Sequence, residues 1–143
     1  MHDRVMGGMS TGRMVASEFG LRFEGVISLE NNGGFASVRR PLVRNLAAAR
    51  GVRLRVRGDG RRYQFRLRPD ERPDSIAWRV QFDSTDHWRE LTFGWADFEA
   101  VFRGTPTPRA GPVVPADIRL IGFMLADGKA GTFRLEISSV DFF

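Results

Sequence analysis

The chain has 143 residues, 42% of them hydrophobic, a formal net charge of +5 and no cysteine. That length suits a single domain with a real core, and the apolar content excludes a disordered chain. The missing cysteine excludes disulfides, thiol chemistry and thiolate zinc sites, and no apolar run approaches the roughly 20 residues of a membrane-spanning helix.

Two glycine pairs stand early in the chain, in DRVMGGMS (3–10) and LENNGGFASV (29–38). Paired glycines let the backbone take positive φ or approach another backbone closely, so both segments read as shaped loops. Between them, Phe19 to Leu29 alternates around Gly25, where a bulge would let the pattern shift. Phe35 to Val38 reads as a short strand.

Three strict period-two segments follow. In GVRLRVR, Val52, Leu54 and Val56 share one face against Arg53, Arg55 and Arg57. In YQFRLR, Tyr63, Phe65 and Leu67 oppose Gln64, Arg66 and Arg68. In IAWRVQF, Ile76, Trp78, Val80 and Phe82 oppose Arg79 and Gln81. Such alternation marks strands with one buried face. Gly58-Asp59-Gly60 is a turn signal and predicts a hairpin between the first two. Pro69 to Pro73 separates the second from the third.

Farther on, Trp88 to Phe93 predicts a strand and Ala96 to Ala100 one helical turn. Thr105 to Pro115 holds four of the seven prolines and predicts a long surface loop. Ile118 to Leu125 is nearly all apolar and predicts a central strand covered on both faces. Asp127-Gly128 turns the chain. Phe133, Leu135 and Ile137 then alternate with Arg134 and Glu136, and Val140 to Phe143 continues the run. Roughly nine short strands with turns between them give an all-β fold, a two-sheet sandwich. No repeat or linker divides it, so residues 1–143 are expected to form one domain.

Lys129 is the single lysine among 22 basic residues, a bias that suits the codon usage of a GC-rich bacterium. If the three alternating strands are neighbours, Arg53, Arg55, Arg57, Arg66, Arg68 and Arg79 share one sheet face. That face is either a positive surface able to steer an acidic partner or a solvated exterior with arginine stems covering the sheet; the residues alone leave both open. Nucleic acid is not expected, because Tyr63, Phe65, Trp78 and Phe82 fall inward and cannot interleave with the arginines as stacking platforms.

Catalytic signals are thin. His2 and His87 have no motif partner, and no spacing suggests a transition-metal site. Asp59, Asp83, Asp86, Asp97 and Asp127 fall mostly in turns, and nothing selects a catalytic pair. Calcium bound by loop oxygens leaves no sequence signature. MGGMS lacks the helix and lysine of a phosphate loop. No cofactor and no metal are expected.

The segments DRVMGGMS (3–10), FEGVISLENNGGFASVRR (23–40), LRVRGDGRRYQFRLR (54–68), WRELTFGWADFEAVFRG (88–104) and IRLIGFMLADGKAGTFRLEI (118–137) resemble, in order, the family of complex I intermediate-associated proteins. The resemblance implies a jelly-roll β-sandwich similar to galactose-binding and carbohydrate-binding domains. It also implies a non-catalytic chaperone of respiratory complex assembly. Gly94 departs from the family pattern, which has proline there. The chain lacks the targeting segment of a mitochondrial precursor, so a cytoplasmic bacterial member is expected.

By position in those motifs, Asp3, Asn31, Asn32, Arg57, Asp59 and Arg103 are the candidate contact or buried-network residues. Phe35, Tyr63, Trp88 and Phe98 are expected in the core. Three functions follow in order: a binding module holding a protein client, a carbohydrate-binding module, and an enzyme acting on a small molecule. An enzyme ranks last because no nucleophile–base pair is visible.

Overall fold

The computed structural model describes residues 11–30, 34–72 and 74–143. Asp3, Asn31 and Asn32, with the Gly-Gly pair of the first loop, lie outside the described residues. Eleven strands form two antiparallel sheets, and no α-helix is present among the described residues. In chain order these are β1 (Thr11–Ser17), β2 (Gly20–Ile27), β3 (Ala36–Pro41), β4 (Gly51–Arg57), β5 (Arg62–Arg68), β6 (Ala77–Asp83), β7 (Arg89–Gly94), β8 (Glu99–Phe102), β9 (Thr105–Pro106), β10 (Leu120–Leu125) and β11 (Gly131–Phe142). One sheet runs β1-β2-β11-β4-β7 and the other β3-β10-β5-β6-β8-β9.

The alternating segments fold as their patterns require. Val52, Leu54 and Val56 of β4 face Tyr63, Phe65 and Leu67 of β5 across one core, all essentially inaccessible to water. Full burial of each such side chain contributes about 1.5–3 kcal/mol. Phe23, Phe133, Phe65 and Phe123 meet edge-on within that core, at centroid distances of 4.9 Å for the first pair and 5.3 Å for the second, the arrangement aromatic quadrupoles favour.

Alternation identifies faces, not neighbours, and here the expected hairpin fails. β4 pairs with β11 and β7, whereas β5 pairs with β10 and β6. Gly58-Asp59-Gly60 therefore carries the chain from one sheet to the other. Gly58 is closely packed there: a Cβ would lie 2.5 Å from the Ser84 side chain and 3.2 Å from Leu135.

Gly25 is not a bulge. β2 pairs through it with β1 and β11 without a register shift. A Cβ at Gly25 would lie 1.9 Å from the Thr11 carbonyl oxygen and 2.9 Å from the Phe133 ring. The missing side chain lets that ring lie over the strand. The irregularity falls instead in β11, between Ile137 and Ser139. β11 runs on past it to Phe142.

The proline-rich stretch 105–115 is not wholly a loop, because it contains β9 and a 3-10 turn at Pro108–Ala110, and a second such turn begins at Pro115. The helical turn expected at 96–100 is a 3-10 turn at Trp95–Asp97, followed after Phe98 by β8.

Candidate functional site

Asp59 is the polar centre of the sheet-crossing corner. The Tyr63 hydroxyl, 3.0 Å from both carboxylate oxygens, donates to it. The backbone N–H groups of Arg134 and Arg61 donate to it at 2.8 and 3.2 Å. Ser84 adds a second layer, its hydroxyl donating to the Arg61 carbonyl at 2.8 Å and accepting from the Gly60 N–H at 3.1 Å. The corner thus ties β4, β5, β11 and the β6–β7 connection together. Burial, and then the neighbouring Asp59 carboxylate, hold the Tyr63 phenol well above its usual range. Asp59 also borders an open cavity of about 620 Å³, lined by Arg13, Glu24, Thr132 and Arg134 among others.

Arg61, which no motif singled out, carries the neighbouring clamp. Its Nε and Nη2 bind the two Asp127 carboxylate oxygens at 2.9 and 2.7 Å. Its Nη1 donates to the Thr132 carbonyl at 3.1 Å, and Nη2 also reaches the Lys129 carbonyl. Both side chains are largely buried, 12% and 8% exposed. The bidentate bond holds the Asp127 carboxyl below its usual range and raises Arg61.

The single arginine face expected from the alternating strands does not exist. Because β4 and β5 belong to different sheets, Arg53, Arg55 and Arg57 lie on the exterior of one sheet, and Arg66, Arg68 and Arg79 on the exterior of the other.

On the five-stranded sheet the arginines have partners. Arg13 and Arg22 bind Glu24 at 3.0 and 2.6 Å, and Arg53 lies 3.9 Å from Glu90. The Arg55 guanidinium sits 4.5 Å from the Trp88 ring centroid, and Arg57 lies 4.9 Å from both Trp88 and Phe19. Phe19 and Trp88 meet edge-on at 5.5 Å. Trp88 is therefore not a core residue. In WRELTF the inward face is Leu91 and Phe93, which pack on the core, and this places Trp88 outside. Tyr63 and Phe98 are buried as expected. Aromatic rings do interleave with arginines on this sheet, supplied by Phe19 and Trp88 and not by the inward-facing aromatics of β5 and β6.

On the six-stranded sheet the registers place Arg39, Gly122, Arg66, Arg79 and Glu99 in one row across β3, β10, β5, β6 and β8. The parallel row is Ser37, Met124, Gln64 and Gln81. Arg79 binds Glu99 at 3.1 Å. Arg68 donates to the Arg72 carbonyl and Ser75 hydroxyl of the β5–β6 loop at 2.7 and 3.2 Å. Arg66 is only 9% exposed, yet among the described residues its one side-chain hydrogen bond runs to the Gln64 amide oxygen at 2.7 Å. Burial and the charges of Arg68, Arg79 and Arg39 push it down to about 10, so it remains a cation at neutral pH.

Arg103 occupies a different place. With Gly104 it forms the two-residue turn between β8 and β9, both at positive φ, 51° and 81°, the geometry of a type I′ hairpin. Its guanidinium lies over the adjacent Phe102 ring. Arg57, Asp59 and Arg103 thus sit on a sheet exterior, at a corner and in a hairpin turn. Among the described residues no group of three or more His, Asp or Glu could hold a metal ion, and no helix is long and apolar enough to cross a membrane.

Two antiparallel sheets wrapped on one core define a jelly-roll β-sandwich. The fold matches the family 11 carbohydrate-binding module of the Clostridium thermocellum cellulase Lic26A-Cel5E, with a TM-score of 0.68 and 13% identity over 94% of this chain and 81% of that one. The same module in complex with a mixed-linked tetrasaccharide matches at 0.66 and 14% identity, over 94% and 82% of the two chains. The sequence is more specific than the fold. The chain belongs to the Complex I intermediate-associated protein 30 family, which it matches over residues 1–137. It is 33% identical over 95 residues to mouse (Mus musculus) mitochondrial Complex I intermediate-associated protein 30, a match covering 63% of this chain and 29% of the mouse protein.

Proposed function

We propose that this chain is a non-catalytic binding module that assists assembly of a protein complex in the bacterial cytoplasm. By analogy the client is NADH:ubiquinone oxidoreductase. The observation that carries this reading is the family match over nearly the whole chain, together with a curated relative named for association with complex I intermediates. The exterior of the six-stranded sheet supplies the surface, because arginines of the other sheet are already taken up by Glu24, Trp88 and Phe19 and charge complementarity steers encounter and fixes orientation. Affinity purification from the native host is expected to recover complex I subunits, and a deletion strain to accumulate unassembled intermediates. Recovery of no respiratory-chain subunit, with normal complex I assembly in the deletion strain, overturns the reading.

A carbohydrate ligand is the second reading. It is favoured by aromatic side chains on the exterior of the five-stranded sheet, exposed Phe19 and the partly buried Trp88 it meets edge-on, since an exposed ring offers a stacking surface to a sugar. A glycan array probed with the native chain and with Trp88→Ala tests it. Hits that vanish in the variant support it, and an empty array counts against it.

A further inference from the structure

Arg66 poses an electrostatic problem that the fold alone does not solve. Taking a guanidinium out of water costs several kcal/mol unless an opposite charge compensates it. Here the neighbouring charges are Arg39, Arg68 and Arg79, and every one of them is repulsive. The nearest acid in the row, Glu99, is bound to Arg79. Arg68 is tied down by loop oxygens. Arg39 is exposed and makes no ion pair among the described residues. The Gln64 amide satisfies part of the Arg66 fork but carries no charge.

The position between Arg39 and Arg66 in the row is Gly122. A Cβ there would lie 2.3 Å from the Val38 carbonyl oxygen and 3.0 Å from the Arg39 Cβ. No side chain stands on β10 between the two guanidiniums. Strands lie about 4.8 Å apart, so two arginine stems rooted on either side of Gly122 can converge over it. Ser37 and Gln64 on the adjacent row offer a hydroxyl and an amide beside that point.

We propose that the exterior of the six-stranded sheet is a carboxylate-binding site, in which Arg66 and Arg39 grip an acidic side chain of a protein partner above Gly122. The buried guanidinium supplies a fixed, partly desolvated fork, which suits bidentate capture of a carboxylate. Exposed Arg39 closes from the other side, and Arg68 and Arg79 add to the local positive potential. The compensating charge that the fold withholds from Arg66 is the one the partner brings. The proposal rests on the binding-module reading above only for the kind of partner.

The test titrates the full chain in low-salt buffer with a hexaglutamate peptide, and separately with inorganic phosphate. Each titration is repeated for Arg66→Met, Arg39→Met and, as a control on the opposite sheet, Arg55→Met. Loss of a charge-assisted bidentate contact predicts about tenfold weaker peptide binding in Arg66→Met and in Arg39→Met, with Arg55→Met binding as the native chain does. Arg66→Met is also expected to melt at a higher temperature than the native chain when no peptide is present. Peptide binding that is equal in all four proteins, absent from the native chain, or replaced by binding of phosphate alone overturns the proposal. If Arg66→Met fails to fold, the exposed Arg39→Met decides the same question. Failure here leaves recovery of complex I subunits untouched, and failure of that recovery leaves the peptide titration untouched.

Discussion

On either side of Tyr63 the chain carries two largely buried guanidiniums with opposite surroundings. Arg61, at the corner, is matched in geometry and charge, with both Asp127 oxygens and nearby carbonyls filling its fork. Arg66, in the middle of β5, has one neutral acceptor and three cationic neighbours. The first arrangement fastens a turn to β11 and leaves nothing for a ligand. The second leaves a buried charge uncompensated on a sheet exterior. Burial alone therefore does not distinguish a structural arginine from a recognition arginine; the inventory of partners does.

The sharpest test of that contrast is at the corner. Arg61→Met strands a buried carboxylate and is expected to destabilise the fold by about 3 kcal/mol, read from urea unfolding at neutral pH. The same pair supplies an acid limb. A carboxylate held below its unfolded value contributes stability that is complete above that value and disappears as pH falls through the folded one. Asp127 therefore stabilises the fold above its unfolded value of 3.8 and ceases to do so in stronger acid. Asp127→Asn should flatten this part of the stability profile measured from pH 5 down to pH 2. An unchanged profile would remove Arg61 from its structural role.

Arg66→Met should move stability the other way, by about 1 kcal/mol in favour of the fold, because an apolar side chain of similar reach replaces an uncompensated cation. A loss of stability would mean that the Gln64 contact outweighs desolvation, and the contrast with Arg61 would collapse. The smallest effect belongs to the stacked arginines of β4. Arg55→Met should cost about 0.5 kcal/mol, the value of an exposed cation–π contact, detectable as a slightly lower unfolding midpoint.

Much of the architecture was legible because period-two patterns report burial directly. The inward and outward faces of 51–57, 63–68 and 133–137 are those that the alternation dictates. Connectivity was not legible, because Arg-Gly-Asp-Gly-Arg looks the same whether it turns a hairpin or crosses between sheets. What distinguishes the two is the partner of Asp59. The Tyr63 hydroxyl and the Arg134 N–H, the latter far along the chain, converge on it. Taken as a hairpin, that corner merges two arginine faces into one. Trp88 lies outside for a simpler reason. Its family motif implies the core, but its own alternation with Leu91 and Phe93 points it outward. Of the candidate site residues, Arg57 and Asp59 adjoin at the end of β4, whereas Arg103 lies in the β8–β9 turn of the other sheet. The residues that form the cationic row were half visible: Arg66 and Arg79 came from the strand pattern, while Arg39 and Gly122 joined them only through strand pairing.

The place of β11 has a consequence for the order in which the molecule can be made. It is the middle strand of its sheet, between β2 and β4, yet it is more than a hundred residues downstream of β2. While a ribosome is still translating the segment before residue 131, β2 and β4 each present an unpaired edge, and such edges are templates for association with other chains. Non-local pairing of this kind also slows folding. The chain thus passes, during synthesis, through a state with two open edges that only its own late strand can close.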